Sequence, residues 1–209
     1  MSTQSRPVDR NFFLRKLHSL SGVVPVGVYV LFHLYANSFS HLGPTAYNGV
    51  VNTLRSTPYL LWIELFFILL PIAFHGLYGF YITAQATNNL SRYSYTRNWF
   101  FYLQRWSGAI AFVFILYHVF TLRFGEYVGM AEPSFETMTA YLSNAWIFAF
   151  YIVGVVSTVF HLANGLWLFG VNWGILVSPR AQRVAAQVMG VFFVLVSALG
   201  VNALLPFVR

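Results

Sequence analysis

Two segments repeat a pattern that places an imidazole one helical turn ahead of a residue with no side chain. Phe74-His75-Gly76-Leu77-Tyr78-Gly79-Phe80 and Phe160-His161-Leu162-Ala163-Asn164-Gly165-Leu166 both read Phe-His-x-x-x-Gly-apolar, inside long apolar runs. On a helix the histidine and glycine share a face, and the glycine lets a flat group approach the backbone. A histidine at bilayer depth is costly to leave unpaired, so each marks a function that needs a partner. His33 and His118 lie in two further apolar runs. Neutral imidazole brings a nitrogen donor into a low-dielectric core without a charge, and four such residues predict two bis-histidine haem sites. Iron ligated by two histidines within a porphyrin has no open position, which predicts electron transfer rather than oxygen binding. One intramembrane histidine alone can simply hydrogen-bond a neighbouring helix; the haem reading rests on four that match in depth and context. His18 and His41, at helix and loop edges, are not expected to bind iron.

The elements that position these side chains must be membrane helices. The 209 residues are 58% hydrophobic and 8% charged, far below the charge of a soluble domain. Without cysteine the chain can hold no disulfide, iron–sulfur cluster or zinc–thiolate site of its own. The net charge of +7 comes from basic residues in short loops beside apolar runs, which points to topology and not to a nucleic-acid partner. Runs long enough to cross a hydrocarbon core of ~30 Å lie near residues 20–39, 59–84, 100–122, 145–169 and 185–205. The fold class expected is an all-α membrane protein, one domain of 1–209, with five transmembrane helices in a bundle enclosing two haems. Pro25 and Pro71 fall inside two spans and predict kinks.

Arg6, Arg10, Arg15, Lys16, Arg92, Arg97, Arg105, Arg180 and Arg183 collect on one face. The other carries Arg55, Arg123, Arg209 and the acids Glu126, Glu132 and Glu136. Positive-inside counting places the N-terminus in the cytoplasm and the C-terminus outside, with Met1 to Asn11 read as a retained cytoplasmic tail. The long third loop predicts a short interfacial helix from Pro133-Ser134 that carries Phe135, Met138 and Tyr141 on one side, a lid on the outer face.

An internal repeat organises the bundle. Leu17-His18-Ser19-Leu20-Ser21-Gly22 opens the first helix ahead of His33, and Leu103-Gln104-Arg105-Trp106-Ser107-Gly108 opens the third ahead of His118. Equivalent histidines are offset by 85 (33 to 118) and 86 (75 to 161), so helices one-two and three-four form two histidine-bearing hairpins. Helix five, with no histidine, is a buttress. His33 and His118 sit roughly 20 Å from the inner edge on outward-running helices, and His75 and His161 roughly 24 Å from the outer edge on inward-running ones. Depth therefore pairs His33 with His118 on the outer side and His75 with His161 on the inner side, in planes on the order of 10 Å apart.

The run Arg15-Lys16-Leu17-His18-Ser19-Leu20-Ser21-Gly22-Val23-Val24-Pro25-Val26-Gly27, followed by His33-Leu34, resembles the cytochrome b membrane anchor of succinate dehydrogenase in its five-helix, single-chain, di-haem form. The resemblance covers nearly the whole chain. It implies that His33 and His118 ligate an outer, lower-potential haem and His75 and His161 an inner, higher-potential one. It also implies a bacterial cytoplasmic membrane location and two partners, an iron–sulfur subunit and an FAD-containing flavoprotein that oxidises succinate. Electrons would pass through two haem b groups to a quinone, with menaquinone the expected acceptor.

A quinone site needs an aromatic slot and a proton donor. Glu64, the one carboxylate inside a span, precedes His75 by 11 residues, close to three turns, so it is expected on the ligand's face near the outer edge as a proton relay. An acid at a helix start wetted by headgroups is the plainer reading. Tyr35, Asn37, Trp62, Tyr117 and Arg123 lie at similar height. The start of the first helix also resembles the quinone-binding helix of two-chain anchors, which keeps an inner site near Ser21 and His18 open. Arg15, His18, Ser21 and Arg105 are candidates for propionate or quinone contacts, with Asn164 and Ser107 beside them. Rival readings are a quinol:fumarate reductase anchor, a di-haem subunit of a formate dehydrogenase or hydrogenase, and a haem-free transporter with histidines in a proton path.

Overall fold

A computed structural model describes residues 10–87 and 89–208; most of the predicted cytoplasmic tail, including Arg6, and the terminal Arg209 lie outside the described residues. Within them all regular structure is helical: α1 Arg10–Leu42, α2 Pro44–Arg55, α3 Leu60–Ala84, α4 Thr96–Val128, α5 Phe135–Leu142, α6 Ala145–Asn172 and α7 Pro179–Val208. Helices α1, α3, α4, α6 and α7 are long and apolar enough to cross a membrane. They overrun the apolar stretches because a helix continues through the headgroup layer, where water and lipid charges solvate its ends. Ser178 accepts from the Ala181 amide at 3.1 Å and Pro179 occupies the first turn, so α7 begins six residues before its apolar run.

The two prolines widen turns. Pro25 lies inside a π-helical turn, Gly22–Gly27, and Pro71 follows another, Leu65–Leu69. Proline has no N–H to donate and its ring crowds the carbonyl four residues back, and a turn of wider bore relieves both. A third π-turn, Phe120–Phe124, ends the straight part of α4 without a proline.

Helix α6 is the axis of the bundle, lying along α4 and α7. It approaches α4 closely at Gly154, where a Cβ would stand 2.2 Å from the Phe114 ring. Helix α7 buttresses it as expected, with Gly200 against Val155 and Leu34. The outer end is closed by two short helices. Helix α5 is the predicted lid: Ser134 caps it by accepting from the Thr137 amide, and Met138 and Leu142 are buried, Leu142 in the place expected for Tyr141. Helix α2 was not anticipated, although Gly43-Pro44 is a helix-start signal and Tyr47 is its one buried residue. Tyr47 and Phe135 both meet the C-terminal Phe207, at 5.2 and 4.8 Å between ring centres.

Candidate functional site

The four histidines come together in the pairs that depth predicts. His75 of α3 and His161 of α6 have ring centres 6.0 Å apart at an interplanar angle of 86°. His33 of α1 and His118 of α4 stand 5.5 Å apart, also at 86°. An imidazole–metal bond is about 2 Å, and the ring centre lies roughly 1 Å beyond the nitrogen, so two imidazoles on opposite sides of one iron have centres roughly 6 Å apart. No group of three or more histidine, cysteine or acidic ligands forms among the described residues. Two nitrogens per site is the number a six-coordinate bis-histidine haem takes from a protein.

The inner pair is held by backbone carbonyls. His75 Nδ1 is 2.9 Å from the His18 carbonyl oxygen, and His161 Nδ1 is 2.9 Å from that of Gln104. A carbonyl only accepts, so each Nδ1 carries the hydrogen and each Nε2 presents its lone pair. Ser21 and Ser107 donate to the same two carbonyls, at 3.0 and 3.1 Å. Gly22 and Gly108 let the rings lie against α1 and α4: a Cβ there would stand 2.2 Å from His75 and 2.7 Å from His161. The glycines of the Phe-His-x-x-x-Gly pattern serve the same cradle from the other side. A Cβ on Gly79 would be 3.2 Å from His18 Nε2, and one on Gly165 3.5 Å from Gln104 Nε2. Every member of this set recurs at an offset of 86 residues. The cavity between the inner rings, about 80 Å³, is apolar and bordered by Gly22, Gly27, Gly76 and Gly108.

The two inner histidines differ in what flanks them. The His18 ring stacks on His75, centres 4.2 Å apart and 6° from parallel. Gln104 donates to the His161 carbonyl at 3.1 Å and accepts from Asn164 at 2.7 Å. Ser21 is therefore tied to His18, whereas Arg15 reaches Gln85 at 3.1 Å and Arg105 lies over the Phe101 ring at 3.6 Å. Gln104 was missed by sequence reasoning because its contribution is a main-chain oxygen. The repeated Leu-x-x-x-Ser-Gly was the signal.

The outer pair is held more loosely. His118 Nδ1 is buried with no hydrogen-bond partner, and Phe114 and Tyr151 pack beside its ring. Asn37 Nδ2 lies 3.3 Å from His33 Nε2 and donates to the His33 carbonyl at 2.8 Å, while Tyr47 donates to Asn37 Oδ1 at 3.2 Å.

Glu64 lies in an ion-pair chain. Arg123 reaches both its oxygens, with Nε–O distances of 3.0 and 2.9 Å, and also Glu126 at 3.0 Å. Arg55 continues to Glu126 at 2.8 Å and to exposed Glu132 at 3.7 Å. The π-turn Leu65–Leu69 falls between Glu64 and His75. It absorbs about one residue, roughly 100° of rotation, so the straight-helix argument for a shared face does not hold. Trp62 stacks on Phe66, and Tyr117 meets Phe150 and Tyr151 edge-on. Tyr35 borders an open cleft of about 530 Å³ between α1 and α2, with Phe32, Phe39, Val50 and Thr53.

Two pairs of imidazoles in a five-span helical bundle, the inner pair with fixed tautomers, are the frame of a cytochrome b. The family model described as succinate dehydrogenase/fumarate reductase transmembrane subunit matches residues 84–200. The chain belongs to this family. The succinate dehydrogenase cytochrome b558 subunit of Bacillus subtilis (strain 168) is 44% identical over 200 residues, covering 96% of this chain and 98% of the relative. The chain is thus similar to a cytochrome b anchor along nearly its full length, which makes it a multi-pass membrane component of an oxidoreductase complex. Membership implies haem b, and the carbonyl-held inner imidazole pair is chemically suited to it.

Proposed function

We propose that the chain is the membrane anchor of a succinate dehydrogenase, a single domain of 209 residues with its N-terminus in the cytoplasm of a bacterium. His75 and His161 would hold one haem b on the inner side, and His33 and His118 a second on the outer side. When bound, the two groups supply one-electron transfer between an iron–sulfur subunit at the cytoplasmic face and a quinone, menaquinone by preference. Succinate oxidation would belong to the FAD-containing flavoprotein. The observation that carries this reading is the recurrence of one cradle, carbonyl, serine, glycine and histidine, at two places 86 residues apart.

This chain's own residues do the rest. The His18 and Gln104 carbonyls fix the tautomer of the inner imidazoles and aim them. Glu64, with Arg123, Glu126, Arg55 and Glu132, forms a line of groups from the outer part of a span to the exposed surface, which supports proton delivery to an outer quinone. The cleft beside Tyr35 supports the same side, its volume of about 530 Å³ falling within the roughly 300–1,000 Å³ of small-molecule sites. Electron movement outward would then be favoured by an inside-negative potential, about 2.3 kcal/mol per charge per 100 mV. A fumarate reductase anchor would have the same frame, with direction decided by potentials and by the partner subunits.

The test is a dithionite-reduced minus oxidised spectrum with a pyridine haemochrome count. Two haem b per chain are expected, and His33→Ala and His118→Ala should each remove the same one. A colourless protein would return the chain to the transporter reading.

A further inference from the structure

The internal repeat slips by one residue inside α1. From His18 to Gly22 the counterpart positions in α4, Gln104 to Gly108, are offset by 86, as are His75 and His161. Past that point Val28-Tyr29-Val30-Leu31-Phe32-His33 matches Val113-Phe114-Ile115-Leu116-Tyr117-His118 at an offset of 85. Helix α1 therefore holds five residues, Val23 to Gly27, where α4 holds four, Ala109 to Phe112. In a regular helix one extra residue turns everything beyond it by about 100°. His33 would then leave the direction that His118 takes from α4, yet the two rings face one another 5.5 Å apart.

The surplus residue coincides with the π-turn Gly22–Gly27 around Pro25, whereas α4 is α-helical from Thr96 to Val119. A π-turn takes one residue more than an α-turn to complete a similar rotation. Its ends are close: a Cβ on Gly27 would stand 3.1 Å from the Gly22 carbonyl oxygen and 2.8 Å from Leu162. Pro25 anchors it, because proline cannot donate to the carbonyl four residues back and so disfavours a regular turn there. We propose that the turn around Pro25 is a register correction that cancels the extra residue and aims His33 at His118. Pro25 is then a positioning residue for the outer site, acting through the helix eight residues ahead of the ligand. The His18 carbonyl and Ser21 of the inner ligand cradle precede the turn, and Gly22 is its first residue.

The inference rests on His33 and His118 as outer-haem ligands, and two deletions of equal length test it in the assembled complex. The first removes Val24 and carries Pro25→Ala, which leaves nine residues between Gly22 and His33 and no proline, the arrangement between Gly108 and His118 in α4. The second removes Val30 and keeps Pro25. Both shorten α1 by one residue, and only the first removes the wide turn. The first is expected to keep two haems per chain, with the outer haem's midpoint potential and low-spin resonance signature near those of the unaltered protein. The second is expected to lose the outer haem and keep the inner. Loss of the outer haem from the first variant, or its retention in the second, would overturn the proposal. His33→Ala in the full-length chain separates the two layers: retention of both haems there would refute the ligand assignment itself.

Discussion

Replacing Gly22 by alanine puts a methyl group where the His75 ring lies. The new Cβ would stand 2.2 Å from His75 Cε1 and 2.6 Å from Nδ1. Ordinary carbon contacts are about 3.5 Å or more, so the ring must retreat by roughly 1 Å. The Nδ1 to His18 carbonyl distance is 2.9 Å, and a retreat of that size takes it past the limit of a hydrogen bond. Loss of such an outer-shell partner typically costs 10–100-fold in metal affinity, about 1.4–2.7 kcal/mol. Gly108→Ala places its Cβ 2.7 Å from His161 Cε1, a milder clash, so its effect should be the smaller. Gly190, also in a membrane span, has nothing within 4 Å of a built Cβ, and its alanine variant should retain both haems. The assay is haem b per chain by pyridine haemochrome with a resolved redox titration. Gly22→Ala and Gly108→Ala, on different helices, should weaken the same inner haem while the outer one remains. Selective loss of the outer haem, or a larger effect at Gly108 than at Gly22, would refute the cradle.

Glu64→Gln should slow quinone reduction by tenfold or more, in line with a lost proton-transfer group, while dithionite still reduces both haems; normal turnover would remove Glu64 from proton delivery. Burial pushes the Tyr47 hydroxyl up from 10 to about 12. Because its folded value is raised, the stability it contributes is intact below pH 10 and is lost between pH 10 and 12, up to about 3 kcal/mol at 1.36 kcal/mol per unit. Thermal scans of Tyr47→Phe should therefore fall less steeply above pH 10 than those of the unaltered protein, and equal slopes would count against this. Ser134→Ala removes the cap of α5 and should cost about 1 kcal/mol, read as easier proteolysis of the third loop; an unchanged cleavage rate would show that packing on Phe207 alone holds the lid.

The bundle and the histidine pairs were legible in the sequence because lipid imposes one simple demand. A span must be long, apolar and helical, so charged loops, span count and the depth of each histidine can be counted along the chain. The repeat added a check, since two hairpins built alike place like residues at like heights. Helix ends were less legible, because hydropathy senses apolar length while a cap such as Ser178 is a polar residue outside the apolar run. Helix α2 was overlooked because its apolar face is narrow and its burial depends on Phe207, at the far end of the chain.

What tertiary structure decided was direction. Counting residues set Glu64 on the His75 face; a π-turn interrupts that count, and Glu64 pairs with Arg123. Counting also left unexplained why offsets of 85 and 86 should coexist, until the turn at Pro25 accounted for the difference. The grip on the inner imidazoles comes from main-chain oxygens of His18 and Gln104, which carry no residue-type signal. Composition and periodicity follow from the solvent each residue must face, and those the sequence determines by itself. Rotation about a helix and the reach of a carbonyl depend on local hydrogen bonding and on the neighbour packed against it, and these exist only once the helices have met.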